Sequence, residues 1–242
     1  MTIRIPVVFG LFAALLSLAD AAEPQKAARP NVIFVLCDDL GPGDVGALWQ
    51  NGRKGKQKFT TPNMDQFAKE GMILSRHYCP APSCMASRSS LMTGRHQGHC
   101  ARRNTQFDAE IPDVHTLGSV MSKAGYATAA IGKWGMAGGP HQLSIKPVRG
   151  DRSPKTNPSH PTLRGFDYFY GYTAHRDAHY HYPKLGNRPL YDGFVDVTDR
   201  LAKCYSTDLL TARTKKWIVD HHKAHPKKPF FTYLCYTAPH AG

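Results

Sequence analysis

The chain has 242 residues, 41% of them hydrophobic, and a formal net charge of +13. This length allows one sizeable core but not two full domains, and the composition excludes a disordered chain. The excess positive charge favours anionic partners such as sulfated glycans, nucleic acid or acidic surfaces, although a solvated basic surface is the more ordinary explanation for most of these residues. Six cysteines without a CxxC pair argue against a structural zinc site and leave any disulfide pairing open.

The first residues have the pattern of an export signal. Arg4 precedes the apolar run Pro6–Leu18, and Ala19 and Ala21 supply the small residues that signal peptidase requires. The apolar run is short for a membrane span, so a retained anchor is the weaker alternative. We therefore predict a signal peptide at residues 1–21 and an exported protein, periplasmic or extracellular.

Short apolar runs alternate with amphipathic segments through the rest of the chain. The continuous apolar run at 31–36 predicts a strand buried on both faces. Strands are predicted at 31–36, 72–78, 126–131, 166–172 and 230–236, and helices at 61–71, 84–92, 113–124 and 206–221. This alternation predicts an α/β fold with a mostly parallel sheet sandwiched by helices, and a long loop at 136–163.

Polar residues follow three of these strands. Asp38 and Asp39 come after the first strand, Lys133 after the strand at 126–131, and His240 after the last strand. In open α/β sheets, ligands bind at the carboxyl ends of the strands. Adjacent buried carboxylates repel each other unless a cation relieves them, and Ca²⁺ or Mg²⁺ suits carboxylate oxygens. The alternative is that one aspartate only caps a turn beside Gly41.

Cys84 begins a predicted helix, with Arg88 one turn further along. The positive end of the helix dipole and the guanidinium would both stabilise an anion at this position. The alternative is an ordinary buried structural cysteine.

The segment around Cys84 resembles the signature of the sulfatases, which belong to the alkaline phosphatase superfamily. That signature is C-x-P/A-S-R followed by L-x-T-G-R. The matching segments, in order, are Arg29–Phe34, Asp38–Gly41, Thr61–Asp65, Cys84–Arg88, Leu91–Arg95, Ala130–Trp134 and Phe230–His240. The resemblance covers residues 29–242, which we predict to be part of an N-terminal catalytic domain with the sulfatase fold.

The resemblance implies a nucleophile and a metal site. In sulfatases a maturation enzyme oxidises the signature cysteine to formylglycine, whose hydrate attacks sulfur and later expels sulfate. Cys84 would be that residue, and Asp38 and Asp39 together with the modified Cys84 would bind Ca²⁺, with Mg²⁺ as the alternative.

The resemblance also implies roles for three further residues. Arg88 would orient the nucleophile, and Lys133 would contact the sulfate. His240 would contact the sulfate or protonate the leaving alcohol.

This sequence departs from the family pattern at two positions. Ala86 replaces the usual signature proline, a variant also found in the family. Gly135 stands where many members have a histidine two residues after the lysine. We predict that His179 or His175, with His181 as a weaker candidate, supplies the missing imidazole; the alternative is that they are exposed loop histidines.

The implied function is hydrolysis of sulfate esters, with a sulfated carbohydrate or an aryl sulfate as substrate. The alternatives are a phosphonate or phosphate ester hydrolase of the same superfamily, and a catalytically inactive basic glycan-binding fragment. The downstream metal ligands of the family are not found in these 242 residues. We therefore expect a fragment that is weakly active or inactive by itself. We expect no nucleic-acid partner, and no membrane association after signal cleavage.

Overall fold

The computed structural model describes residues 29–55, 59–104, 108–138, 158–186, 188–201 and 203–240. The predicted signal peptide and most of the predicted long loop lie outside these residues. The chain divides into the units Met1–Pro30 and Asn31–Gly242, and the second contains all the elements described below.

The second unit is built around a six-stranded mixed sheet. Its strand order is β1-β6-β2-β3-β4-β5. The first four strands in this order are parallel, whereas β4 pairs antiparallel with both β3 and β5. The strands are β1 Val32–Asp38, β2 Ala127–Lys133, β3 Tyr168–Tyr172, β4 Tyr191–Asp192, β5 Val195–Asp196 and β6 Phe230–Pro239. The predicted α/β fold with a mostly parallel sheet is confirmed.

Within the described residues, five α-helices accompany the sheet: α1 Pro62–Glu70, α2 Cys84–Thr93, α3 Leu117–Lys123, α4 Pro183–Gly186 and α5 Ser206–Ala224. Helix α2 ends at Gly94, whose φ of 65° is the left-handed conformation that favours glycine at a helix end. Helix α3 is shorter than the predicted 113–124 because its capping residue is Thr116, which excludes Val114 from the helix.

The central strands are buried on both faces. On β6, Tyr233 packs into one apolar cluster with Trp134 and Phe231, whereas Leu234 packs into a second cluster with Leu210 of α5. Consecutive side chains of a strand point to opposite faces, so β6 contributes to both clusters. The sheet is thereby fixed at its centre, next to the strand ends that carry the polar residues.

Two predictions about the first part of the chain are wrong. Strand β1 is an edge strand, and Ile33 and Val35 are each 51% exposed, so it is not buried on both faces. The neighbouring helix α1, predicted at 61–71, is also exposed, with Phe67 at 79% exposure. The predicted strand at 72–78 is irregular, with Met72 at 85% exposure, and pairs with no strand within the described residues. Apolar β-rich composition alone cannot form a strand without a neighbour to accept its hydrogen bonds.

Two glycines set the spacing between β2 and its neighbours. Gly132 has a φ of 110°, and a Cβ atom there would collide with the backbone carbonyl of Cys235 on β6. A Cβ atom at Gly171 on β3 would collide with the backbone carbonyl of Gly132. These strands therefore approach each other closely just before Lys133.

Candidate active site

The polar residues that follow β1, β2 and β6 lie at one edge of the sheet. Asp38 is the last residue of β1, Lys133 is the last of β2, and His240 directly follows β6. These strands are parallel neighbours, so their carboxyl ends meet. Helix α2 begins at the same edge with Cys84, which is half-buried.

Asp38 is the buried anion of this site, with a residue exposure of 4%. Arg88 Nη2 donates to Asp38 Oδ1 at 3.3 Å, and Lys133 Nζ donates to Oδ2 at 2.5 Å. Arg88 also donates from Nη1 to the carbonyl oxygen of Lys133 at 2.9 Å. Burial would raise the pKa of Asp38, but Arg88 and Lys133 outweigh burial and lower it, so the carboxylate stays ionised.

Cys84 contacts the imidazole of His175. The distance from Cys84 Sγ to His175 Nε2 is 3.2 Å, and His175 is only 1% exposed. Burial and the charge of Lys133 lower the pKa of His175 to about 2, and burial raises the pKa of the Cys84 thiol. At neutral pH this contact therefore joins a neutral imidazole to a neutral thiol rather than an ion pair.

Gly135 leaves space for the ring of His175. Its φ is 69°, and a Cβ atom built there would lie 3.4 Å from His175 Nδ1. The backbone N–H of His175 donates to Asp108 Oδ1 at 2.5 Å, which fixes the turn that presents the ring. Sequence reasoning missed Asp108, an isolated carboxylate outside any motif.

His179 and His240 form the other side of the pocket. Their rings stack with centroids 3.9 Å apart, and His179 Nε2 lies 3.2 Å from Lys133 Nζ. His240 Nε2 lies 3.5 Å from Asp39 Oδ2. Burial and the charge of Lys133 lower the pKa of His179 to about 4. Asp39 is exposed, and its φ of 64° turns the chain sharply after β1.

His181, the weaker candidate, contacts a backbone atom instead. Its Nε2 lies 2.7 Å from the carbonyl oxygen of His240. The structure thus brings Asp38, Arg88 and Lys133 into one network and His175 against Cys84. His181 supports the end of β6 from outside that network.

The donor atoms at this edge are suited to a cation. Carboxylate oxygens such as those of Asp38 and Asp39 are the donors that a hard ion such as Ca²⁺ takes. One ligand atom each of Asp38, His179 and His240 also lie within 4.8 Å of one another.

None of the described helices combines the length and the apolar character that crossing a bilayer requires.

Comparison with known proteins identifies the family. The sulfatase family model matches residues 30–242. Human arylsulfatase D is 35% identical over 171 residues, which are 66% of this chain and 26% of that protein. The crystal structure of Ps i-CgsB in complex with k-i-k-neocarrahexaose is similar at a TM-score of 0.65 and 28% identity, covering 88% of this chain and 46% of that one.

A phosphonate monoester hydrolase of Agrobacterium radiobacter shares the fold alone, with a TM-score of 0.54 and 20% identity over 88% of this chain and 41% of that one. The chain thus spans about a quarter of the length of arylsulfatase D and less than half of the two solved chains. The family match nevertheless extends over nearly every residue from Pro30 onward. It agrees with the signature at Cys84–Arg95, and this chain therefore belongs to the sulfatase family.

Proposed function

We propose that the protein of which this chain is a part hydrolyses sulfate esters at the pocket formed by Cys84, Asp38, Arg88 and Lys133. The observation that carries the proposal is the position of Cys84. It begins a helix, contacts a neutral imidazole and lies beside two buried cations. Family membership adds support, because arylsulfatase D is named for this reaction.

Several residues of this chain would bind and stabilise the anionic group, each in a different way. Lys133 and Arg88 provide positive charge in a site with little water, where electrostatic stabilisation of a developing anion is strongest. The hydrogen bonds of Arg88 to Asp38 and to the Lys133 backbone hold its guanidinium in place. Neutral His175 can accept a hydrogen bond at Nε2 from a group attached at position 84, and so orient that group.

His240 is the candidate for contacting the sulfate or protonating the leaving alcohol. It is partly exposed at the rim, where a leaving group would depart. Formylglycine at position 84 would supply the attacking hydroxyl, and Ca²⁺ or Mg²⁺ held by Asp38 and Asp39 would polarise the sulfate oxygens. The modification requires a maturation enzyme as a partner.

A sulfated carbohydrate is the substrate class we favour. The net charge of +13 attracts a polyanion, and Ps i-CgsB was solved with a bound carrahexaose. Residues 1–21 would direct export, which would give access to extracellular polysaccharides. An aryl sulfate remains the alternative substrate.

A phosphonate or phosphate ester hydrolase is the second candidate, since the Agrobacterium phosphonate hydrolase has the same fold. An inactive glycan-binding protein is the third. The test uses protein that carries the full length of the family and was produced with a maturation enzyme. We expect mass spectrometry to find formylglycine at position 84, and hydrolysis of an aryl sulfate to exceed that of the matching aryl phosphonate.

Faster hydrolysis of the phosphonate would overturn the sulfate assignment. An unmodified thiol together with no turnover of either ester would favour glycan binding alone. Such binding should weaken steeply with added salt because it would be electrostatic.

A further inference from the structure

We propose that Asp38, His179 and His240 bind a transition-metal ion of the Zn²⁺ class, at a site distinct in ligand chemistry from an all-oxygen calcium site. The binding itself does not depend on the proposed reaction or on the modification of Cys84. Its effect on activity, which would be inhibition, rests on the proposed function.

The geometry of the three side chains supports this site. Their ligand atoms lie within 4.8 Å of one another. Ligand atoms around a tetrahedral zinc ion are about 3.3 Å apart, given Zn–N and Zn–O distances of about 2.0–2.2 Å. The rings of His179 and His240 stack with centroids 3.9 Å apart and an interplanar angle of 22°, so one ring must turn out of the stack for both in-plane nitrogen lone pairs to point at the same ion. Asp39 Oδ2 lies 3.5 Å from His240 Nε2 but is not among the ligand atoms that lie within 4.8 Å of one another.

The donor types select the metal. Two imidazole nitrogens with one or two carboxylates suit Zn²⁺, Co²⁺ and Ni²⁺, whereas Ca²⁺ and Mg²⁺ take oxygen ligands. An ion bound through both histidines would share Asp38 with a calcium site, so the two ions would compete.

Lys133 is the competing cation within the protein. Its Nζ lies 2.5 Å from Asp38 Oδ2 and 3.2 Å from His179 Nε2, so the ammonium contacts two of the three proposed ligands. A bound metal must displace it from both. Removing the ammonium should therefore strengthen metal binding, while Arg88 still holds the other oxygen of Asp38. If Lys133 only stabilised the fold, replacing it would not make Zn²⁺ bind more tightly.

The test measures metal binding directly on protein freed of metal with a chelator. Zn²⁺ affinity is measured by calorimetry, and Co²⁺ serves as a probe because its visible absorption reports four-coordinate geometry. We expect one Co²⁺ ion to give this absorption, and Zn²⁺ to displace it. His179→Gln and His240→Gln should each weaken this site at least about 100-fold, since loss of a mere supporting group costs about 10- to 100-fold.

The matched control is His222→Gln, because His222 is exposed on α5 outside the pocket. This control matters since the chain has 13 histidines, which can bind metal weakly elsewhere. His222→Gln should leave the site unchanged, and Lys133→Met should bind Zn²⁺ more tightly than the unaltered protein. Circular dichroism verifies that each variant is folded.

Unchanged Co²⁺ absorption in both His179→Gln and His240→Gln would overturn the proposal, as would weaker Zn²⁺ binding in folded Lys133→Met. Should the histidine variants not fold, the Lys133→Met titration decides. Absent sulfatase activity in zinc-free protein of full family length that carries formylglycine at position 84 would refute the proposed function and not this site.

Discussion

Cys84 is half-buried at a helix start against His175, so it contributes little volume to the core, and we propose it as the nucleophile. We expect Cys84→Ala to abolish hydrolysis without unfolding the protein. Cys84→Ser offers one hydroxyl where the reaction needs two, so sulfate should accumulate on the protein, which intact mass spectrometry detects. Cys79→Ala, which removes an exposed thiol nearby, is the control and should retain activity. Near-normal hydrolysis by Cys84→Ala would refute the nucleophile.

The contact between Gly135 and His175 gives a second prediction at the same scale. His175→Ala should lower turnover because it removes the imidazole beside position 84. Gly135→His should also lower it, because a side chain there crowds His175 and takes a left-handed φ. Combining both changes should restore part of the activity, since the new ring can enter the vacated space.

Kinetic constants of the two single variants and the double variant check this expectation. If the double variant turns over faster than the product of the two single effects predicts, an imidazole at position 135 can replace the one at position 175. A double variant slower than both single variants would contradict it.

Among the elements, α3 depends on a reciprocal cap. The backbone N–H of Ser119 donates to Thr116 Oγ1 at 3.1 Å, and that of Thr116 donates to Ser119 Oγ at 2.8 Å. Thr116 Oγ1 also donates to the carbonyl oxygen of Arg164 at 2.5 Å. Thr116→Ala should lower the free energy of unfolding by about 1–2 kcal/mol in urea denaturation.

The control for this cap is Ser122→Ala, since Ser122 is exposed on the same helix. It should change the free energy of unfolding by less than about 0.5 kcal/mol. An equal effect of both substitutions would show that the cap contributes nothing specific.

The elements also show what sequence patterns can and cannot predict. The strand predicted at 126–131 and the helix predicted at 84–92 correspond to β2 and α2, because apolar runs and a terminal glycine are local signals. The exposure of β1 was not predictable from its apolar run. Burial depends on what covers a strand, and β1 lies at the edge of the sheet.

In the candidate site, too, some features were predictable from local sequence patterns and others depend on the folded chain. The strand ends and the signature identified Asp38, Arg88 and Lys133 as candidates for one site, and the structure brings them together. The sequence left His175 and His179 as alternatives. Only the folded chain distinguishes them, since one contacts Cys84 and the other contacts Lys133. No local pattern encodes that difference.

For the whole molecule, buried neutral histidines predict sensitivity to acid. His160 is fully buried, with Nε2 3.1 Å from the carbonyl oxygen of Gly193, and burial lowers its pKa to about 4. Unfolding would return this pKa to about 6.5, so below pH 6.5 the unfolded chain binds more protons and the folded state loses stability. His175 and His179 act in the same direction.

From His160 alone, the free energy of unfolding should be about 2 kcal/mol lower at pH 5.0 than at pH 7.5. Urea denaturation at both pH values measures this difference. His160→Phe should reduce the pH dependence by that amount whatever its effect at pH 7.5. Exposed His222→Phe should leave the pH dependence as it is. If the free energy of unfolding of His160→Phe depends on pH as strongly as that of the unaltered protein, His160 is not responsible for the loss of stability in acid.

The glycine contacts at the centre of the sheet limit how the protein can vary. In a library randomised at each position, 132 and 171 should accept only glycine, because the atoms that a side chain would strike belong to the backbone. No substitution elsewhere can remove a backbone carbonyl, so no second-site suppressor is available. Descendants of this sequence can therefore acquire new substrates by exchanging side chains around Lys133, while the spacing of the strands beneath it remains invariant.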